Sequence, residues 1–539
     1  MTDAGMQDWP LVTWRLLDHV GRNHANRSIV SLAVEGGTHR TTWGAIAARS
    51  RRLASVLAGL GVARGDRIAT LAWNTWRHVE CLYGIGGAGG IAHTVNPRLF
   101  DDQIAYIIGH AADRVLFVDL SFVPLVERLA PRLTGVAHIV VLADRARLPP
   151  SPLDLLCYED LIASGDPDFA WADLAESEPA GLCYTSGTTG HPKGVLYSHR
   201  STVLHALAAT GADVLALGAR SVVLPVAPMF HVNAWSVPYA AAAAGSALVL
   251  NGPHFDAPTL TNLIRDEGVD FALGVPTIWL GVLQHLAASG GDLGNLTRVN
   301  IGGSAVPPSM IGAFADRGVT VSHLWGMTEM SPIGSIGAPT PEVMALSPLD
   351  QAAMQAKQGR SIFGVEMRIV DDAGTELPRD GVAFGRLLVR GPWIVAAYYA
   401  AEAAATDANG WFDTGDIATI DPLGYMAIVD RAKDVIKSGG EWISSIDLEN
   451  TATGCPGIHE AAVIGVPHPK WDERPLLIVV ASPGASVTKA EVLAHLAPRI
   501  AKWWMPDDVV FVDELPHTAT GKLLKTALRE RFRGHLTNN

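Results

Sequence analysis

Short β-branched runs alternate with helical patterns through most of this sequence, and that alternation is what most narrows the folds open to it. Val222–Val226, Ala247–Leu250, Phe271–Val275 and Val319–His323 read as buried strands, with amphipathic stretches such as Thr259–Glu267 between them. Strands of this kind need cover on both faces, so the pattern predicts α/β layers. Further on, Glu366–Val370 and Arg386–Arg390 sit among Gly and Pro turns, which predicts a smaller β-rich lobe. After about residue 430 the pattern restarts with strand-like His459–Val466, Leu476–Ala481 and Val509–Val512. A chain of 539 residues is too long for one core. We therefore expect a large α/β domain with its β-rich lobe over 1–430 and a small, mobile α+β domain over 431–539.

Composition removes several classes of function. The formal net charge of -13 leaves no basic surplus to neutralise a nucleic-acid backbone. A bound nucleotide would have to be held by local backbone N–H groups and a few placed cations. Cys81, Cys157, Cys183 and Cys455 are widely separated, without metal-ligand spacing or a nucleophile context, and read as reduced and buried. Ser221–Phe255 contains no Asp, Glu, Lys or Arg, but Pro225, Pro228, Asn233 and Pro238 interrupt it. Its clean part, Tyr239–Leu250, is too short to span a bilayer, so strand, loop and helix is the better reading. Asp3 and Asp8 precede the first cation, Arg15, and no apolar run of signal-peptide length follows, which predicts a cytoplasmic protein without stable membrane insertion.

The segment Tyr184-Thr-Ser-Gly-Thr-Thr-Gly-His-Pro-Lys-Gly-Val195 stands between strand-like Ala180–Tyr184 and Val195–Tyr197. Glycines (Gly187, Gly190, Gly194) let backbone N–H groups approach a ligand closely. The hydroxyls of Thr185, Ser186, Thr188 and Thr189 donate to phosphate oxygens, and Lys193 supplies charge. No Ser or Thr follows the lysine, so this is not the Walker pattern. A Ser/Thr/Gly turn alone would be unremarkable as a loop, but twelve ordered positions argue for phosphate.

The segment resembles the phosphate loop of the adenylate-forming superfamily, which includes acyl- and aryl-CoA synthetases, luciferases and peptide-synthetase adenylation domains. Further motifs follow in that superfamily's order over nearly the whole chain. In Trp325-Gly-Met-Thr-Glu329 the resemblance implies an aromatic packed on adenine beside Gly326 and Met327. It gives Thr328 to the α-phosphate and Glu329, with Thr185, to Mg²⁺. A triphosphate does need a hard cation held by oxygen. Trp325 stands where most members carry Tyr. Gly302-Gly-Ser-Ala-Val306, with Gly303, Ser304 and Ala305 at its centre, resembles the strand-end loop along adenine and the acyl pocket, although a Gly-Gly pair unsupported is just a turn.

Trp411-Phe-Asp-Thr-Gly-Asp416 resembles the ribose motif, where a carboxylate accepts from two hydroxyls, with Arg431 adding a contact. By the same resemblance Lys433 is a hinge, Lys437 serves thioester formation, and Gly439-Gly-Glu-Trp442 lines a CoA tunnel through Gly439, Gly440, Glu441 and Trp442. Bare composition would make that stretch a mobile linker. Pro516–Lys522 looks like the final motif, whose lysine, Lys522, neutralises charge during adenylation.

Pro228-Met-Phe-His-Val-Asn-Ala-Trp235 bears on the acid. Amino-acid-activating members carry Asp after the Phe, to pair with an ammonium; His231 stands here, which favours an acid without that amine. His231 reads as a gate or catalytic neighbour of the substrate carboxylate, or alternatively as a satisfied core histidine, and Trp235 alternatively as a core tryptophan. As pocket residues, His231, Trp235, Gly302, Trp325 and Pro332 would enclose a short or medium acyl chain.

The combination resembles most the branch of methylmercaptopropionate–CoA and medium-chain fatty-acid–CoA ligases. The resemblance implies two half-reactions, acyl-adenylate formation from ATP and acid, then transfer to CoA. A medium- to long-chain acid, or a carrier protein as acceptor, is the alternative. Only seventeen residues follow Lys522, which we read as too few for a fused carrier. A catalytically silent nucleotide binder is disfavoured by Lys193 and Lys522, and a homodimer is compatible with the chain.

Overall fold

The computed structural model describes residues 5–185, 191–439, 441–517 and 523–536. Contacts divide the chain into two compact units, one of Met1–Val365 with Arg390–Gly410, the other of Glu366–Val389 with Trp411–Asn539.

The first unit holds two sheets among its described residues. In one, five parallel strands, Leu155–Cys157, His138–Val141, Val115–Val118, Arg67–Leu71 and Ile91–Thr94, lead to Pro179–Tyr184, also parallel, and Gly194–Ser198 closes the edge antiparallel. The nine-stranded sheet has a parallel centre of Thr320–Gly326, Arg298–Gly302, Phe271–Gly274, Val222–Pro225, Ala247–Leu250 and Ser28–Leu32. Antiparallel strands flank it at both ends. Its central strands are buried along their length, as strands covered on both faces must be.

The helix Ala257–Asp266 starts at a side-chain cap. Asp256 caps Ala257–Asp266 by accepting from the Thr259 N–H at 2.9 Å, and proline follows in the first turn. Leu260, Leu263 and Ile264 of that helix join Trp279 and Phe314 in the core against the nine-stranded sheet. Ser221–Phe255 resolves as strand, loop, helix (Val237–Ala244) and strand, as expected. No helix among the described residues is long and apolar enough to cross a membrane. All four cysteines are buried, and burial pushes the Cys183 thiol up to about 11.

In the second unit a four-stranded sheet runs from Glu366–Val370 through Phe384–Arg390 and Phe412–Ile420 to Met426–Arg431. A five-stranded sheet is built around Ile458–His468 and Asp472–Ala481. Period-two alternation gives this pair two buried faces. Val463, Leu477 and Val479 pack with Leu448 and Val492 of the helices Ser445–Thr453 and Lys489–Leu496. Ile464, Leu476 and Ile478 pack with Leu528 of the helix Lys525–Phe532. The layered α/β architecture read from the sequence is the one found.

Candidate active site

The candidate phosphate loop joins the two antiparallel strands at the edge of the seven-stranded sheet. Its ends are closed by the Thr185 N–H donating to the Lys193 carbonyl at 2.9 Å and the Lys193 N–H donating to Thr185 Oγ1 at 3.1 Å. Ser186, Gly187, Thr188, Thr189 and Gly190 lie outside the described residues.

Lys193 is exposed, and its Nζ stands 4.7 Å from the centre of the Tyr398 ring. The Tyr398 hydroxyl donates to Glu329 Oε1 at 2.9 Å. Tyr398 thus touches two residues that the sequence reading singled out separately. Burial, and then the Glu329 carboxylate, hold the Tyr398 phenol above its ordinary range, so it remains a donor at neutral pH. The same segment braces both neighbours through its backbone. The Val395 N–H donates to the Glu329 carbonyl at 2.8 Å, and the Tyr399 N–H to the Gly194 carbonyl at 2.7 Å. Tyr197 adds a bond from its hydroxyl to the Thr328 carbonyl at 2.7 Å.

Trp325, Gly326 and Met327 lead into the hairpin that Ile333–Ile336 completes, with Thr328, Glu329 and Pro332 in its turn. A Cβ on Gly326 would lie 2.0 Å from the Pro332 carbonyl oxygen, and the Met327 N–H donates to that same oxygen at 3.1 Å. Trp325 is buried against Gly334, where an added Cβ would fall 2.6 Å from its Cζ3.

Gly302 ends its strand opposite Leu324. A Cβ there would clash with the Leu324 carbonyl oxygen at 2.5 Å and press on Trp235 Cη2 at 3.3 Å, so the glycine lets the Trp235 indole lie close to this strand end. Gly303, Ser304 and Ala305 follow, the first two exposed. Val232, Asn233, Ala234, Trp235 and Ser236 all have φ between 43° and 65°. A left-handed turn of five non-glycine residues is costly, roughly 1–2 kcal/mol per residue. Such backbone persists only where its surroundings over-determine it, and it clusters at functional sites. His231 is half-buried at the entry to this turn.

In the second unit, Asp416 and Arg431 are paired across neighbouring strands, with Arg431 Nε 2.9 Å from Asp416 Oδ1. Asp416 is almost wholly buried. Lys433 and Lys437 are exposed, the Lys437 N–H donating to Glu473 Oε2 at 3.1 Å. Gly439 has φ +61° and its N–H donates to the Trp471 carbonyl at 2.8 Å. Trp471 packs on it so closely that a Cβ would lie 2.8 Å from the ring. Gly440 and Lys522 lie outside the described residues, as do the side chains of Glu441 and Trp442.

Two side chains escaped sequence reading. Tyr398 lies in an Ala- and Tyr-rich stretch without a motif of its own, and Trp471 follows a lysine in a polar turn. Only their contacts with Lys193, Glu329 and Gly439 single them out.

Mg²⁺ fits the described donors. Among the described residues no three His, Cys, Asp or Glu side chains gather in a metal-binding group. Glu329 is a buried carboxylate and Thr185 a hydroxyl, both hard oxygen donors. Mg²⁺ ordinarily takes one or two such protein ligands and completes its shell with water and substrate phosphates.

The candidate phosphate loop and the buried Glu329 at a hairpin turn belong to the first unit, and the buried Asp416 with its partner Arg431 to the second. The chain belongs to the AMP-binding enzyme family, whose description matches residues 17–399, and the family's C-terminal domain matches 447–522. Over 99% of both chains it is 52% identical to a 3-methylmercaptopropionyl-CoA ligase of Ruegeria lacuscaerulensis. It is 48% identical to a medium-chain-fatty-acid–CoA ligase of Ectopseudomonas oleovorans, over 97% of this chain and 96% of that one. Among solved structures, the anthranilate CoA ligase AuaEII in complex with anthranoyl-AMP superposes with a TM-score of 0.86 at 25% identity, covering 99% of this chain and all (100%) of the other.

Proposed function

We propose that this protein is an AMP-forming acid–CoA ligase whose preferred acid is 3-methylmercaptopropionate, with straight medium-chain acids next. The single observation that carries the choice of acid is the Trp235 indole seated against Gly302, at the end of a turn that His231 opens. A bulky ring there leaves room for a short unbranched chain, and an aromatic wall makes mildly favourable contacts with a thioether sulfur. No carboxylate stands directly after Phe230 to hold an ammonium group, which argues against amino acids.

In the proposed first half-reaction a carboxylate oxygen attacks the α-phosphorus of ATP, and the bond to pyrophosphate breaks. Lys193 and the phosphate loop hold the triphosphate, Thr328 meets the α-phosphate, and Lys522 offsets the charge that gathers there. Mg²⁺, held by Glu329 with Thr185, would shield the triphosphate charge. Trp325 and the Gly302–Ala305 loop take adenine, while Asp416 and Arg431 take the ribose hydroxyls. In the second half-reaction the CoA sulfur attacks the acyl carbon and AMP leaves. Lys437 and the Gly439–Trp442 segment serve this step, with Lys433 as the hinge of the change between the two. Delivery to a free-standing carrier protein in place of CoA is the second reading.

A panel of thioether, straight-chain and aromatic acids, compared by kcat/KM, tests the proposal. 3-Methylmercaptopropionate and medium-chain acids should lead, with aromatic acids far behind. Aromatic acids in front would overturn the reading of Trp235.

A further inference from the structure

Asn74 is wholly buried, and its carboxamide joins the two sheets of the first unit. It follows the strand Arg67–Leu71 of the seven-stranded sheet. Its Nδ2 donates to the carbonyls of Pro225 at 2.8 Å and Ala227 at 3.0 Å, and to Asn251 Oδ1 at 3.3 Å. Its Oδ1 accepts from the Met229 N–H at 2.6 Å. Pro225 ends the strand Val222–Pro225 of the nine-stranded sheet, so three backbone groups at the end of that strand and in the loop beyond it are satisfied by one side chain. The neighbouring Trp73 reinforces the contact, its ring 5.9 Å from that of Phe230.

The next bonds lead directly to the turn. The Pro228 carbonyl accepts from the His231 N–H at 3.0 Å and from the Ala234 N–H at 3.2 Å. A second, weaker tie comes from Thr94, whose hydroxyl donates to Asn233 Oδ1 at 3.5 Å. Five consecutive left-handed residues fold this way only if held, and the hold runs from Asn74 through Met229 and Pro228 into Val232–Ser236. What the turn presents is Trp235, against Gly302.

We propose that Asn74 is a positioning residue for acid selection, clamping the loop Pro225–Met229 so that the left-handed turn sets Trp235 and His231. The proposal rests on the reading of that turn as the acid pocket. Among the described residues Asn74 bonds to no candidate nucleotide residue, so its effect is expected on the acid.

The test is the KM for 3-methylmercaptopropionate and for hexanoate, set beside the KM for ATP, in full-length Asn74→Ala. The acid KM should rise about tenfold or more, as misplaced binding groups do, with the ATP KM within about twofold of wild type. Asn74→Ser, which keeps one polar group, should fall between, and serves if the alanine variant does not fold. Leu260→Ala, in the core behind the same sheet, should lower Tm while leaving the acid KM in place. A folded Asn74 variant with unchanged acid KM, or with acid and ATP KM raised together, would overturn the proposal. Trp235→Ala separates the two failures. An unchanged choice between the acids there removes the pocket itself, whereas a changed choice beside a silent Asn74 variant removes only the clamp.

Discussion

Lys193 and Glu329 carry opposite charges, and Tyr398 is in contact with both, its ring toward the ammonium and its hydroxyl on the carboxylate. The two contacts can be separated by chemistry. Tyr398→Phe keeps the ring for Lys193 and removes the bond that orients Glu329. A hydrogen bond to a charged group contributes about 1.5–3 kcal/mol. If Glu329 holds Mg²⁺, the Mg²⁺ concentration for half-maximal turnover should rise by about tenfold, and Mg²⁺-dependent ATP binding by calorimetry should weaken with it. An unchanged Mg²⁺ dependence would show that Tyr398 is a brace and nothing more. Sequence could not have named this residue. Lys193 and Glu329 stand in ordered motifs, whereas Tyr398 gains its meaning from a return of the chain across some two hundred positions. Asn74 is the same case, an unmarked asparagine until its amide is seen holding Pro225, Ala227 and Met229.

Among the elements, what was legible was whatever a short window encodes. The strands around Leu224, Leu248 and Ala272 declare themselves by unbroken apolar runs, and the helix Ala257–Asp266 by the amphipathic stretch Thr259–Glu267. The turn Val232–Ser236 did not declare itself. Val, Ala and Trp all disfavour positive φ, so local preference points away from the conformation found, and only tertiary bonds impose it. The glycine at the end of Arg298–Gly302 is the matching half of that arrangement. Gly302→Ala should destabilise the protein by about 1–3 kcal/mol, as overpacking does, because its Cβ meets the Leu324 carbonyl oxygen. By displacing the Trp235 indole it should also shift preference toward shorter acids. Thermal unfolding and the acid panel read the two effects independently. A drop in Tm with unchanged acid preference would sever Gly302 from substrate choice.

At the scale of the whole molecule, the order of motifs carried more information than any motif alone. The Asp413–Asp416 run could equally have been a turn; the structure makes Asp416 a buried partner of Arg431 and ties Gly194 and Glu329 to one segment, Val395–Tyr399. Membership of the AMP-binding enzyme family follows from matches over both parts of the chain, and the central claim is the reaction class. That claim is tested most directly by identifying the nucleotide product when the protein turns over ATP with 3-methylmercaptopropionate and CoA. AMP and pyrophosphate should form in equal amounts with the acyl-CoA, together with acid-dependent exchange of labelled pyrophosphate into ATP when CoA is left out. ADP and phosphate as products, or no pyrophosphate exchange without CoA, would contradict it.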